Sequence, residues 1–206
     1  MKKKILLGAL VALFVMTSCS DNNQQQGNKE LSFDEVLTSR RSIRSYDSTK
    51  KITEADVREL ITAAQEAPSW TNSQPTKYYV AISPVMLDSV KNHIGRNKQS
   101  VEGAPVLIVS TFERGKSGFR GEEPANEIGE GWGAYDNGLS NCYLILKARA
   151  MGFDTLIMGM RETDALRQLM SIPESETVMA VIALGYRDAE PNRPERRNLD
   201  EIVKFY

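Results

Sequence analysis

The chain has 206 residues, 26 Lys and Arg against 27 Asp and Glu, a formal net charge of −1, one histidine and two cysteines. That balance lacks the basic excess that nucleic-acid binding usually shows. So few cysteines and histidines also argue against a disulfide framework and against a zinc site.

Lys2-Lys3-Lys4, an apolar run from Ile5 to Met16 and then Thr17-Ser18-Cys19 have the order of a secretory signal peptide. The run is too short for a spanning helix, which needs about 20 residues. Cleavage before a cysteine marks a bacterial lipoprotein. Residues 1–18 are therefore read as the signal peptide and Cys19 as the lipidated N-terminus. This places the protein in the bacterial cell envelope, on the periplasmic or outer-membrane side, held to the membrane only by its lipid. Met16 stands where such sites usually carry Leu, so a plain signal peptide with Cys19 incidental is the alternative. Losing residues 1–18 removes three lysines and no acid, which moves the net charge to −4. Residues 19–31, polar from Ser20 to Lys29, are read as a flexible tether. Residues 32–206 have the length of one domain.

Within that domain, Ser32-Phe33-Asp34-Glu35 is a capping box that opens a short helix. The helix delivers the chain to Arg40-Arg41-Ser42-Ile43-Arg44 and the turn-like Ser45-Tyr46-Asp47. Thr53 opens a second helix with Val57, Leu60, Ile61 and Ala64 on one face, and Pro68 ends it. A loop over 69–75, a strand over 77–82 and a helix over 84–94 follow. The unbroken apolar strand over 105–112 is expected to be buried on both faces. The stretch from Gly115 to Gly133 holds six of the fourteen glycines and reads as a long, mobile insert. A helix over 132–151 turns Leu139, Cys142, Tyr143, Leu146 and Ala150 toward the core, with Gly152 as its C′ residue. A strand over 154–158, a helix over 162–170, a strand over 177–184 and an extended tail with Pro191 and Pro194 complete an α+β domain around one sheet. His93 is expected to be a surface bystander, and Cys142 and Trp132 to be core residues.

Two segments carry chemistry. Three guanidinium groups and a hydroxyl at residues 40–44 form an anion site if the backbone makes them converge, since each Arg fork pairs two phosphate oxygens. The plainer alternative is a solvated basic cluster at a helix end. In the loop, Asn72 and Gln74 offer donors and acceptors between Pro68 and Pro75 and suit the edge of a heterocycle.

With these segments stand Gly152-Phe153-Asp154-Thr155-Leu156-Ile157-Met158-Gly159, Leu184-Gly185-Tyr186 and the distal pair Arg196-Arg197. In this order the sequence resembles the FMN-dependent nitroreductase family. The resemblance implies a nitroreductase-like α+β fold, a central mostly antiparallel sheet surrounded by helices, in an intertwined homodimer with FMN between subunits. It places Arg40, Ser42 and Arg196 near the flavin phosphate, with Arg197 the competing register and Arg41 without a fixed role. Arg44 is placed at the pyrimidine side of the ring, Asn72 and Gln74 along its edge, and Met158, Gly159 and Met160 beside N5. It further implies electron transfer from NAD(P)H or another donor to a nitroaromatic, quinone or similar small-molecule acceptor. No side-chain acid or base is required. A dehydrogenase or dehalogenase reaction, or a non-catalytic flavin-scavenging lipoprotein, are the alternatives. Thr76, where many relatives carry an aromatic, and Trp70 depart from the family pattern.

Overall fold

The computed structural model describes residues 31–206. The segments read as signal peptide and tether, with Cys19 expected to carry the lipid, lie outside the described residues except for residue 31.

The capping box forms as expected. The Ser32 hydroxyl accepts the Glu35 amide, the Glu35 carboxylate accepts the Ser32 amide, and helix α1 spans Phe33–Ser39. Thr53 and Asp56 repeat the device at the start of α2 (Glu54–Gln65). Then come β1 (Thr76–Ala81), α3 (Pro84–Lys91), β2 (Val106–Glu113), the small hairpin β3 (Phe119–Arg120) and β4 (Glu123–Pro124), α4 (Gly131–Ala150), β5 (Asp154–Met158), α5 (Thr163–Met170) and β6 (Glu176–Gly185). Gly152 takes φ +83° just after α4, the left-handed C′ position predicted for it.

The main sheet has the order β1-β2-β6-β5, with every neighbouring pair antiparallel. β2 and β6 lie inside it and are covered on both faces, which is why their sequences are apolar without alternation. Leu107, Val109, Val181 and Ala183 join a cluster with Val90, Ile94 and Leu166 on the α3/α5 side. Val106, Ile108, Ile182 and Leu184 join Leu60, Ala64, Leu144 and Ala148 on the α2/α4 side. Each fully buried Leu or Ile contributes roughly 1.5–3 kcal/mol.

The expectations for α4, for the insert and for Trp132 need correction. The α4 stripe predicted for the core faces outward: Cys142 and Ala150 are exposed and Tyr143 is 41% exposed. The buried face is instead Gly133, Asp136, Asn137, Asn141, Leu144 and Ala148. Polar side chains are tolerated there because they are satisfied. Asn137 Nδ2 donates to the Thr111 carbonyl at 2.9 Å, and the Ser110 hydroxyl lies 3.0 Å from Asn137 Oδ1 and Asn141 Oδ1, beside a β2–β6 register shift. A count of apolar residues selects the wrong face of such a helix, and Cys142 is not a core residue.

The glycine-rich insert is a built structure, not a featureless loop. Its hairpin is closed by Ala125 N–H donating to the Gly118 carbonyl at 2.7 Å, and Ser117 is 1% exposed. His93 stands beyond the end of α3 and has a partner. Its Nδ1 lies 2.8 Å from Glu162 Oε2, and its carbonyl accepts the Glu162 amide at 2.8 Å. Trp132 is half-buried against Trp70 and Tyr135.

Candidate functional site

After α1 the chain becomes extended and lies along β5, where the Ile43 amide donates to the Thr155 carbonyl at 3.0 Å. Strand-like alternation buries Ile43 and leaves Ser42 and Arg44 exposed. Arg41 turns back instead: its Nη1 donates to the carbonyls of Thr38 at 2.6 Å and Arg40 at 2.8 Å, capping orphan acceptors at the end of α1. Its Nε is buried without a hydrogen-bond partner.

The chain leaving β6 completes the site. Asp47 N–H donates to the Tyr186 carbonyl and Asp188 N–H to the Ser45 carbonyl, so residues 186–188 pair with residues 45–47. This strap carries Pro191, Asn192, Pro194 and Arg196 over the arginine run. Together with Arg40, Arg41, Ser42 and Arg44 they line a cavity of about 180 Å³. Arg197 is not among its lining residues.

Next to the arginine run, at Ser39, lies an ionic platform that sequence reasoning missed. Asp154 is 3% exposed and accepts Arg187 Nε at 2.8 Å and Nη2 at 2.6 Å, while Arg149 Nη1 stands 3.6 Å away. Arg149 also reaches the Ser39 hydroxyl at 2.9 Å, and Arg187 the Ser39 carbonyl at 3.2 Å. Arg187 pairs with Glu190 as well. The hydrogen bond to Asp154 is the main reason that Arg187 is held above its ordinary pKa, and Arg187 in turn pulls the Glu190 carboxyl below the usual carboxylate range. α1, α4, β5 and the strap are thus tied at one point. The signal in the sequence was an acid at the head of an apolar strand and an arginine just past Tyr186.

The other predicted residues lie elsewhere. Asn72 and Gln74 precede β1, the sheet edge opposite β5; three strand spacings set β1 and β5 roughly 14 Å apart. Gln74 Nε2 donates to Asn72 Oδ1 at 3.2 Å, and Gln74 lines a separate cavity of about 300 Å³ with Ser69, Thr76 and Tyr78. Thr71, Asn72 and Gln74 take φ of +46°, +58° and +48°. Left-handed backbone at non-glycine residues costs roughly 1–2 kcal/mol each. Met158 is buried, whereas Gly159 and Met160 are exposed at the far end of β5.

The nitroreductase family model matches residues 37–186. An Archaeoglobus fulgidus protein whose name pairs NADH dehydrogenase with NAD(P)H nitroreductase is 28% identical over 81% of this chain and 94% of its own length. The NADH dehydrogenase of Thermus thermophilus is 26% identical over 80% and 91%. Among solved structures, one from Exiguobacterium sibiricum in complex with FMN superposes with a TM-score of 0.76 at 21% identity, covering 85% of this chain and 98% of that one. With the α+β fold and the arginine pocket, the match over most of its length makes this chain a member of the nitroreductase family.

Proposed function

We propose that the protein is an FMN-dependent oxidoreductase that takes electrons from NAD(P)H or another donor and passes them to a nitroaromatic, quinone or similar small acceptor. One observation carries the reading: Arg40, Ser42, Arg44 and Arg196, far apart in sequence, line one cavity in a nitroreductase fold. Guanidinium groups and a hydroxyl, with the orphaned Nε of Arg41 close by, are the donor set that a phosphate monoester demands. The site therefore fits FMN.

Arg40, Ser42 and Arg196 hold the phosphate in this reading, and Arg41 supports them by fixing the end of α1. Arg44 faces the pyrimidine side of the ring, where a fixed cation stabilises the negative charge that reduction builds. Bound FMN supplies the redox chemistry at N5, exchanging a hydride equivalent with donor and acceptor in turn. Gly159, without a side chain, lets the 158–160 backbone approach that atom.

The ring-edge residues Asn72 and Gln74 stand on the opposite sheet edge, so a second copy of the chain completes the site. Two features support a homodimer. The outward stripe of α4 borders an apolar cavity of about 490 Å³ lined by Phe33, Val36, Tyr143, Leu146 and Ala150. The tail exposes Leu199, Ile202 and Phe205, the last at 90%. The domain over residues 32–206 would then work in the cell envelope, tethered through lipidated Cys19.

Purified protein is expected to hold FMN, to bleach anaerobically with NAD(P)H and to recover colour with a nitroaromatic. Bound FMN that no reductant bleaches would point to a flavin-scavenging lipoprotein instead. Arg44→Ala should slow flavin reduction by about tenfold or more. Arg41→Ala, which loses a helix cap, should change it by less than about twofold. Equal reduction rates in the two variants at full FMN occupancy would refute this division of roles.

A further inference from the structure

The loop that carries Asn72 and Gln74 places three non-glycine residues in the left-handed region within four positions. Such backbone persists only where its surroundings impose it. Part of the constraint is local, since Ser69 Oγ accepts the Gln74 amide at 3.0 Å, and part comes from α4. Asp136, 2% exposed, accepts the Trp70 amide at 2.9 Å and the Ser117 hydroxyl at 2.6 Å on the same oxygen. Because the Ser117 proton is committed to Asp136, the Ser73 hydroxyl, 2.6 Å away, is the donor to Ser117 Oγ. Trp132, one turn earlier on α4, lays its ring 4.9 Å from that of Trp70, and its indole N–H donates to Asn126 Oδ1 at 2.9 Å. Glycine at 133 brings this part of the helix down onto β2, since a Cβ there would stand 2.5 Å from the Phe112 ring.

A buried carboxylate is tolerated only when donors satisfy it. Among the described residues, the donors that reach Asp136 from outside its helix belong to the loop and to the glycine-rich insert. We propose that Asp136 is a positioning residue. With Ser117 and Trp132 it latches the 69–75 loop between α4 and the insert, and so fixes the backbone that presents Asn72 and Gln74 to the flavin edge. The insert is then a buttress for the loop. The role toward flavin rests on the function proposed above; the latch itself does not.

Amide hydrogen exchange on the full FMN-loaded protein reads the latch directly. In Asp136→Ala, exchange over residues 69–75 should rise about tenfold or more while β2 and β6 keep their protection. The FMN Kd should rise about 10–100-fold. Asp136→Asn keeps an acceptor oxygen and should restore most of both. Ser117→Ala removes only the insert's share, should show a smaller rise in the same segment, and serves if Asp136→Ala does not fold. Unchanged exchange over 69–75 in a folded variant overturns the latch, as does loosening spread evenly through β2 and β6. Faster loop exchange with an unchanged FMN Kd overturns the presentation role. A wild-type protein that binds no FMN removes the flavin reading and that role with it, and exchange still decides the latch.

Discussion

Replacing Arg40 and Arg196 together with alanine is expected to weaken FMN binding by about 10²–10⁴-fold, the largest effect on function foreseen for this chain. The estimate follows from two charge-assisted hydrogen-bonding groups worth roughly 1.5–3 kcal/mol each, at 1.4 kcal/mol per decade of affinity. The two residues line the same cavity, one arriving just after α1 and one from the strap after β6. Neither is buried, so their loss should leave the fold intact. Fluorescence titration of FMN onto the apoprotein checks the prediction, and raised salt should weaken wild-type binding more than that of the double variant. Arg197→Ala is the internal control, because residue 197 is absent from the cavity lining, and should cost less than about threefold, a few tenths of a kcal/mol. An affinity unchanged in the double variant, or a larger loss from Arg197→Ala, would place the phosphate elsewhere.

How the sequence announced this pocket, and where it was silent, has a physical basis. The caps at Ser32 and Thr53 were legible because they depend on residues three apart. The interior position of β2 and β6 was legible because burial on both faces removes alternation. The face of α4 was not, because Asn137 and Asn141 are buried only by virtue of their hydrogen bonds to Ser110 and the Thr111 carbonyl, partners no local pattern reveals. The arginine run was visible as a charge cluster, yet the separate fate of Arg41 follows from where its guanidinium meets the end of α1. The Asn72–Gln74 loop was recognised by its residues, while the Asp136 contact that holds it from α4 comes from 66 residues downstream. Long-range polar contacts were what local reading lacked, and both Asp136 and Asp154 belong to that class.

Asp154→Ala is expected to lower global stability by about 3–5 kcal/mol, the usual loss when one member of a buried ion pair is removed and the other stays. Asp154 has 2% side-chain exposure, against 16% for Arg187 and 19% for Arg149, so both arginines would be left poorly solvated. At about 2–4 °C per kcal/mol for a domain of this size, the unfolding temperature should fall by about 6–20 °C. FMN affinity should fall as well, because Arg187 anchors the strap that brings Arg196 to the cavity. If the deficit is the stranded charge, Asp154→Leu combined with Arg187→Met should recover part of the stability that Asp154→Ala loses, without recovering FMN affinity. Acid should act in the same direction on the wild type. Arg187 holds the Glu190 carboxyl below its unfolded pKa, so that pair's contribution is present at neutral pH and is lost as pH falls through the depressed folded value. Its share is small because Glu190 is 65% exposed. A single-alanine variant with wild-type melting behaviour would show that α1, α4, β5 and the strap do not depend on Asp154. If melting falls but FMN affinity holds, the platform supports the fold and not the pocket.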